Sequence, residues 1–218
     1  MTAGFTVIMP MKAWDRAKSR LHVEPAARRG LAEAFARDTL AAVLASPSVA
    51  AVVVVTRGDL VVDDVRSAGA QVIQEPADRP LDTLGSAIRH GIAWAAGHRP
   101  DTPLAVVPSD LPALTPDALA ELLTEADTHT SAFVADANGD GTTILTSRTP
   151  SLMRAGYGPG SAQRHRGFGA YELVAADALR QDVDTLDDLV AAERLGLGPH
   201  TLQAYADLTP TYADGVSR

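Results

Sequence analysis

The sequence predicts an α/β fold with an open, mostly parallel central sheet, and three observations carry that expectation. Through the first half, short apolar runs alternate with segments of helical periodicity. The run Ala51 to Thr56, AVVVVT, is apolar at every position before its threonine, the pattern of a strand covered on both faces. Later, two strand-like runs flank Asn138-Gly139-Asp140-Gly141, which reads as a hairpin added to the sheet.

Each element follows in order. Phe5 to Met9 is a buried first strand closed by Pro10, and a polar loop from Lys12 to Arg20 follows it. Pro25 suits a first helical turn, and Leu31, Phe35, Thr39 and Val43, with Leu40 and Leu44, form one apolar face before Pro47. After AVVVVT come a short helix over Leu60 to Ala68, a strand at Gln71 to Ile73, and a helix from Leu84 to Ala96 carrying Leu84, Ile88 and Ile92 on one side. Leu104 to Val107 is a further buried strand. Thr115-Pro116-Asp117 then supplies a cap, a first-turn proline and an acid favoured by the helix dipole. The hairpin strands are Ser131 to Ala135 and Thr142 to Thr146. Gly156 to Gly169 reads as a glycine-rich loop, Leu179 to Val183 as a last strand, and Leu186 to Leu195 as a last helix. The segment from Pro199 onward has little pattern.

A chain of 218 residues with 46% hydrophobic content can bury one sizeable core, so a single domain over residues 1–198 with a tail at 199–218 is expected. Nineteen basic residues against 27 acidic ones leave a net charge of -8, which disfavours nucleic acid or an anionic membrane as partner. The absence of cysteine excludes disulfides, thiolate metal sites and a cysteine nucleophile. No targeting segment or membrane span is read, so a cytoplasmic location is expected; the oligomeric state is not readable. The only lysines are Lys12 and Lys18, both in the loop after the first strand.

In an open parallel sheet, ligands bind beyond the carboxyl ends of the strands. Three loops there carry chemistry. The first, PMKAWDRAKSRL, concentrates Lys12, Lys18 and Arg20 as phosphate-binding charges, although a solvated basic loop fits the spacing equally well. The second, PSDLPA, offers Asp110 as a ligand for Mg²⁺ or, with equal weight, as a turn cap. The third, DVDTLDD, offers Asp184. Thr185 there reads as a helix cap, and Asp187 and Asp188 as partners of the helix dipole. Two separated carboxylates and clustered basic groups fit a Mg²⁺-assisted reaction on a nucleoside triphosphate. The six histidines are scattered, and only His165 falls in the glycine-rich segment.

The segments VIMPMKAWDRAKSRL, VVVVTRGD, LGSAIRHGIAWA, VVPSDLPAL, NGDGTTIL, GYGPGSAQRHRGFGAYEL and QDVDTLDDL, in this order, resemble the guanylyltransferases that activate phosphoenolpyruvate or 2-phospho-L-lactate in coenzyme F420 biosynthesis. The resemblance implies a single Rossmann-like nucleotidyltransferase domain. It also implies a reaction of GTP with a phosphorylated three-carbon acid, releasing pyrophosphate and leaving a diphosphoguanosine ester for a downstream transferase. By the same resemblance Lys12, Lys18 and Arg20 meet the triphosphate, Asp110 and Asp184 hold Mg²⁺, and Thr142, Gly158 and Ser161 grip the acid. Thr56, Gly85 and Ser86 would read the base. In this chain Gly85 follows Leu84 where the family carries an asparagine, so the guanine contact would fall to backbone groups and Ser86.

Beside the resemblance, the chemistry stands on its own terms. A phosphate monoester has a second pKa near ~6, so the attacking oxygen is already anionic at neutral pH and no general base is needed. In-line placement and neutralisation of the leaving pyrophosphate are what remain to be supplied. Glycines at 156, 158 and 160 would let backbone approach an anion, with Arg164 and Arg166 as a carboxylate clamp. Other readings are a nucleotidyltransferase acting on a molybdopterin or a sugar phosphate, or a non-catalytic GTP-binding regulatory module. The first usually carries a glycine-rich first loop that is missing here; the second would have no use for both aspartates.

Overall fold

The computed structural model describes residues 4–11, 18–57, 59–74 and 84–213. Its centre is a seven-stranded sheet in the order β3-β2-β1-β4-β6-β5-β7. The strands are β1 (Phe5–Pro10), β2 (Val49–Thr56), β3 (Gln71–Gln74), β4 (Leu104–Val106), β5 (Ser131–Ala135), β6 (Thr142–Ser147) and β7 (Tyr171–Glu172). Strands β1 to β4 pair in parallel, β6 runs antiparallel to both β4 and β5, and β7 lies parallel to β5. The mixed α/β fold and the added hairpin are therefore as expected. Strand order reverses across β1 and β4, which opens the ligand crevice of such sheets at their carboxyl ends.

The helices are α1 (Pro25–Ala45), α2 (Asp59–Ser67), α3 (Leu84–His98), α4 (Pro116–Ala126), α5 (Ser161–Gly167), α6 (Asp177–Arg180), α7 (Leu186–Leu195) and α8 (Pro199–Ala213). Side chains alternate across the pleat. Val7, Met9, Val52 and Val54 face α1 and α4, where Ala36, Leu40, Val43, Leu119 and Leu123 meet them. Ile8, Val53, Val55 and Val106 face the other way, onto Ile88 and Ala95 of α3 and onto Phe133 and Leu145. Helix α3 lies so close to β1 that a Cβ at Gly91 would collide with Ile8.

Sequence signals end these helices where expected. Pro25 opens α1, Thr115 Oγ1 accepts from Ala118 N at 3.3 Å to cap α4, and Thr185 with Asp188 forms a reciprocal capping box on α7.

Three expectations are corrected. Leu179 to Val183 is no strand: Leu179 and Arg180 finish the short α6, whose Arg180 guanidinium donates to the carbonyls of Ala135 at 3.2 Å and Asp136 at 2.9 Å. The glycine-rich loop folds its middle into α5, and β7 follows just beyond its end. The segment from Pro199, expected to lack pattern, is helix α8. Asp38 of α1 is buried and accepts the backbone N–H groups of His200 at 3.1 Å and Thr201 at 2.7 Å, tying the start of α8 to α1.

Candidate functional site

A cleft of about 590 Å³ opens at the carboxyl ends of β1 and β4. One wall comes from the ends of these strands and the approach to α7: Lys18, Arg20, Asp110, Asp182 and Asp184. The other comes from the hairpin and the glycine-rich loop: Asp136, Asp140, Thr142, Tyr157, Gly158 and Ser161.

The first wall is built by three chain segments pinned to one another. Asp110 follows β4, and Leu111 N donates to Thr39 Oγ1 at 3.1 Å, so α1 fixes the turn. Val183 N donates to the Asp110 carbonyl at 3.1 Å, which brings Asp182 and Asp184 beside Asp110. Asp188, capping α7, accepts from Asp184 N at 3.1 Å and sets its backbone. Expected only as a partner of the helix dipole, Asp188 also closes the capping box with Thr185. Lys18 Nζ closes the group, at 2.6 Å from Asp110 Oδ2 and 3.0 Å from Asp184 Oδ1. Burial alone would depress this ammonium, but the two carboxylates outweigh it and hold its pKa above the ordinary value. Lys18 holds a left-handed backbone at φ 56, a conformation that costs a non-glycine residue about 1 kcal/mol. Arg20 reaches Asp184 Oδ2 at 3.4 Å from a largely exposed position.

One ammonium does not balance this wall. Burial, reinforced by Asp110 and Asp184, pushes the Asp182 carboxyl up to about 7. Asp110 Oδ1 is buried without a hydrogen-bond partner. A buried carboxylate oxygen with nothing to accept from is costly, and an all-oxygen acidic set of this kind suits a hard divalent cation. Among the described residues no group of three or more acidic or histidine side chains stands in metal-holding geometry.

The second wall presents neutral donors, and its two carboxylates, Asp136 and Asp140, are taken up by backbone N–H groups. Asp136 closes the hairpin turn by accepting from Asp140 N at 3.0 Å and Gly141 N at 2.9 Å, and Thr142 begins β6 just beyond. In the loop, Gly160 N donates to Asp140 Oδ2 at 2.9 Å and Gly156 N to His165 Nε2 at 3.0 Å. Those two N–H groups are committed inside the protein. Gly158 N–H has no partner among the described residues, and φ +112 there is a conformation glycine alone adopts readily. Ser161 is buried at the start of α5.

His165 sits fully buried among Phe133, Tyr157 and Phe168. Its Nδ1 lies 2.9 Å from Thr142 Oγ1. Burial, helped by the Arg164 guanidinium, pushes its pKa down to about 4.

The structure thus brings Lys18, Arg20, Asp110 and Asp184 into one cleft with Thr142, Gly158 and Ser161. Lys18 is engaged by both carboxylates, where a triphosphate contact was expected of it. Lys12 lies outside the described residues. Thr56 and Ser86 are buried at the end of β2 and in α3, and neither they nor Gly85 are among the described residues lining the cleft, although Leu84 is. The carboxylate clamp is corrected as well: Arg164 donates to the loop carbonyls of Gly156 at 2.8 Å and Gly158 at 3.0 Å, while Arg166 makes a two-pronged pair with Glu172 at 2.6 and 2.8 Å. Asp182 and His165 are the members the sequence did not single out. Asp182 shares a strand-like side with Asp184, a signal available in DVDT; His165 had only its place among glycines.

The family model described as "Guanylyl transferase CofC like" matches residues 5–190. A phosphoenolpyruvate guanylyltransferase of Streptomyces scabiei is 46% identical over 209 residues, spanning 94% of this chain and 97% of the relative. Another, of Salinispora arenicola, is 40% identical and spans 99% of this chain and all of the relative. Among solved structures, a putative nucleotide-diphospho-sugar transferase of Desulfovibrio desulfuricans superposes with TM-score 0.70 at 19% identity, covering 98% of this chain and 96% of that one. At that identity the likeness speaks for the fold alone.

Proposed function

Because the chain belongs to the family of CofC-like guanylyl transferases, we propose that it transfers the guanylyl group of GTP to phosphoenolpyruvate, releasing pyrophosphate. It is an enzyme of the nucleotidyltransferase class. The choice of phosphoenolpyruvate over 2-phospho-L-lactate, and a place in coenzyme F420 assembly with the product consumed by a downstream transferase, are parts of this reading.

The observation that carries it is the pairing of two unlike walls in one cleft at the strand reversal: an under-neutralised acidic wall facing a wall of neutral donors whose own carboxylates, Asp136 and Asp140, are bonded to backbone N–H groups. A cation on the first wall and a small anion on the second is the arrangement that joining two polyanions requires. Asp110 and Asp184, with Asp182 beside them, would hold Mg²⁺, which supplies neutralisation of the phosphate oxygens and of the leaving pyrophosphate. Lys18 aligns the two carboxylates in advance. Arg20, exposed at the rim, is free to swing toward a phosphate. The phosphate of the acid must reach the α-phosphorus and so turns to the acidic wall; its carboxylate then faces Thr142, Gly158 and Ser161. Thr56, Ser86 and the backbone at Gly85 are proposed for the guanine.

No membrane-crossing helix is present among the described residues, and a small-molecule reaction in the cytoplasm fits that. Pyrophosphate release from GTP and Mg²⁺ tests the reading, with phosphoenolpyruvate, 2-phospho-L-lactate, 3-phosphoglycerate or no acceptor. Release that depends on phosphoenolpyruvate is expected. Release indifferent to every acceptor would overturn it.

A further inference from the structure

We propose that His165 is a positioning residue that fixes the Thr142 hydroxyl as a hydrogen-bond donor into the cleft, so that this point of the hairpin wall donates to a carboxylate oxygen and disfavours a ligand donor. The proposal rests on the reading that the acid substrate lies against this wall.

The direction of every bond in the relay follows from one that has no freedom. A backbone N–H can only donate, so Gly156 N, 3.0 Å from His165 Nε2, requires a bare lone pair on that nitrogen. With Nε2 unprotonated, the proton of the ring sits on Nδ1. Nδ1 is 2.9 Å from Thr142 Oγ1 and therefore donates to it. The hydroxyl has accepted, and its own hydrogen has no acceptor among the described residues, while Thr142 lines the cleft. That hydrogen is left for whatever the cleft holds.

The surroundings keep the relay in this sense. The ring is fully buried, with aromatic neighbours Phe133, Tyr157 and Phe168 at centroid distances of 5.8, 5.5 and 6.2 Å. Such a cage resists a ring flip, which would place a carbon against Gly156 N–H and leave that donor unsatisfied. Depression of the imidazole pKa to about 4 keeps it neutral over the working range. A serine or threonine hydroxyl ordinarily rotates to suit either a donor or an acceptor. Here the rotor is set beforehand, and a carboxylate oxygen meets a donor already aimed.

Two side chains of different reach separate the two arms of the relay. The amide of His165→Asn reaches the Nδ1 position and can still donate to Thr142, whereas that of His165→Gln reaches the Nε2 position and serves Gly156 only. Steady-state pyrophosphate release with phosphoenolpyruvate, GTP and Mg²⁺ is compared for the wild type, Thr142→Val, His165→Gln, His165→Asn and the Thr142→Val/His165→Gln double variant. Thr142→Val and His165→Gln are each expected to raise KM for phosphoenolpyruvate about tenfold, with KM for GTP within about twofold. The double variant is expected to match Thr142→Val, because the histidine acts through the hydroxyl. His165→Asn restores KM to within about threefold of the wild type.

Losses that multiply in the double variant, or an unchanged KM in His165→Gln, overturn the relay. An unchanged KM in Thr142→Val removes the acid from this wall and overturns the underlying reading as well. If His165→Gln melts below the assay temperature, His165→Phe, a ring without the donor, with and without Thr142→Val carries the same cycle.

Discussion

On one wall of the cleft Asp110, Asp182 and Asp184 crowd round the ammonium of Lys18, with only the exposed Arg20 beside it; on the other, Thr142, Gly158 and Ser161 are uncharged and the carboxylates of Asp136 and Asp140 are bonded to backbone N–H groups. The acidic wall is held by forces that act in every direction, and its excess charge shows as an orphaned Asp110 oxygen and a raised Asp182 pKa. The neutral wall works by direction. Its donors are aimed through a buried ring and a left-handed glycine, and the N–H groups it does not need are already bonded internally. Charge draws a cation and, with it, phosphates from a distance; aimed donors then select shape and polarity at contact range. Damage to the first wall should accordingly be large and insensitive to the acid used, and damage to the second smaller and confined to the acid.

The sharpest break in that comparison is Asp110→Asn or Asp184→Asn. Each removes a charge while keeping the side-chain shape, and turnover is expected to fall by at least about 100-fold. Melting temperature should stay within a few degrees, since Lys18 keeps its other carboxylate. Turnover near the wild-type value in both variants would remove the acidic wall from the chemistry.

Acid exposes a difference next in size, this time on the neutral wall. The folded His165 pKa of about 4 lies below the ordinary 6.5. As pH falls through 6.5 the unfolded imidazole takes a proton that the buried ring refuses, so stability present above that pH is lost down to about 4. Two and a half pKa units correspond to up to about 3 kcal/mol. Urea unfolding at a series of pH values should show this slope in the wild type and a flatter one in His165→Gln. Equal slopes would mean that His165 is not the buried neutral group described here.

Lys18→Met tests the acidic wall from the cation side. It leaves Asp110 facing Asp184 with only the exposed Arg20 beside them, at a cost of about 2 kcal/mol for a pair that is only partly buried. Mg²⁺ is then expected to raise the melting temperature of the variant more than that of the wild type, because the ion replaces what the ammonium supplied. A smaller Mg²⁺ shift in the variant would mean that Lys18 recruits the ion, which this wall's charge balance argues against.

The two walls also differed in how far the sequence foretold them. Asp110 and Asp184 were legible because each sits where a local signal ends: one just past a buried run between prolines, the other just before a capped helix. Helices α1, α4 and α7 announced themselves in the same way, through Pro25, Thr115-Pro116 and the Thr185 cap. Helices α5, α6 and α8 did not. The first two are too short for periodicity to register, and α8 carries Pro210 and gains its inward face only against α1. His165 was unreadable because its role depends on bonds to Gly156 and Thr142, one in its own loop and one on a strand, which no spacing rule connects. Of the donor wall, the sequence showed the glycines at 156, 158 and 160 but not the ring that aims Thr142.

The smallest effect separates two neighbours that the sequence treated alike. Arg164 donates to the carbonyls of Gly156 and Gly158, the residues that flank Tyr157 in the loop. Arg166, two residues on, pairs with Glu172 on the exposed side of the same helix. Arg164→Ala loosens the backbone that presents Gly158 N–H, and KM for phosphoenolpyruvate should rise about threefold with kcat held. Arg166→Ala removes only a solvent-screened ion pair, and neither kinetics nor melting temperature should change measurably. If Arg166→Ala raised KM as much as Arg164→Ala did, net positive charge near the cleft would be the active factor. The neutral wall would then hold the acid by field, as the acidic wall holds its cation, and the division between the two walls would fall.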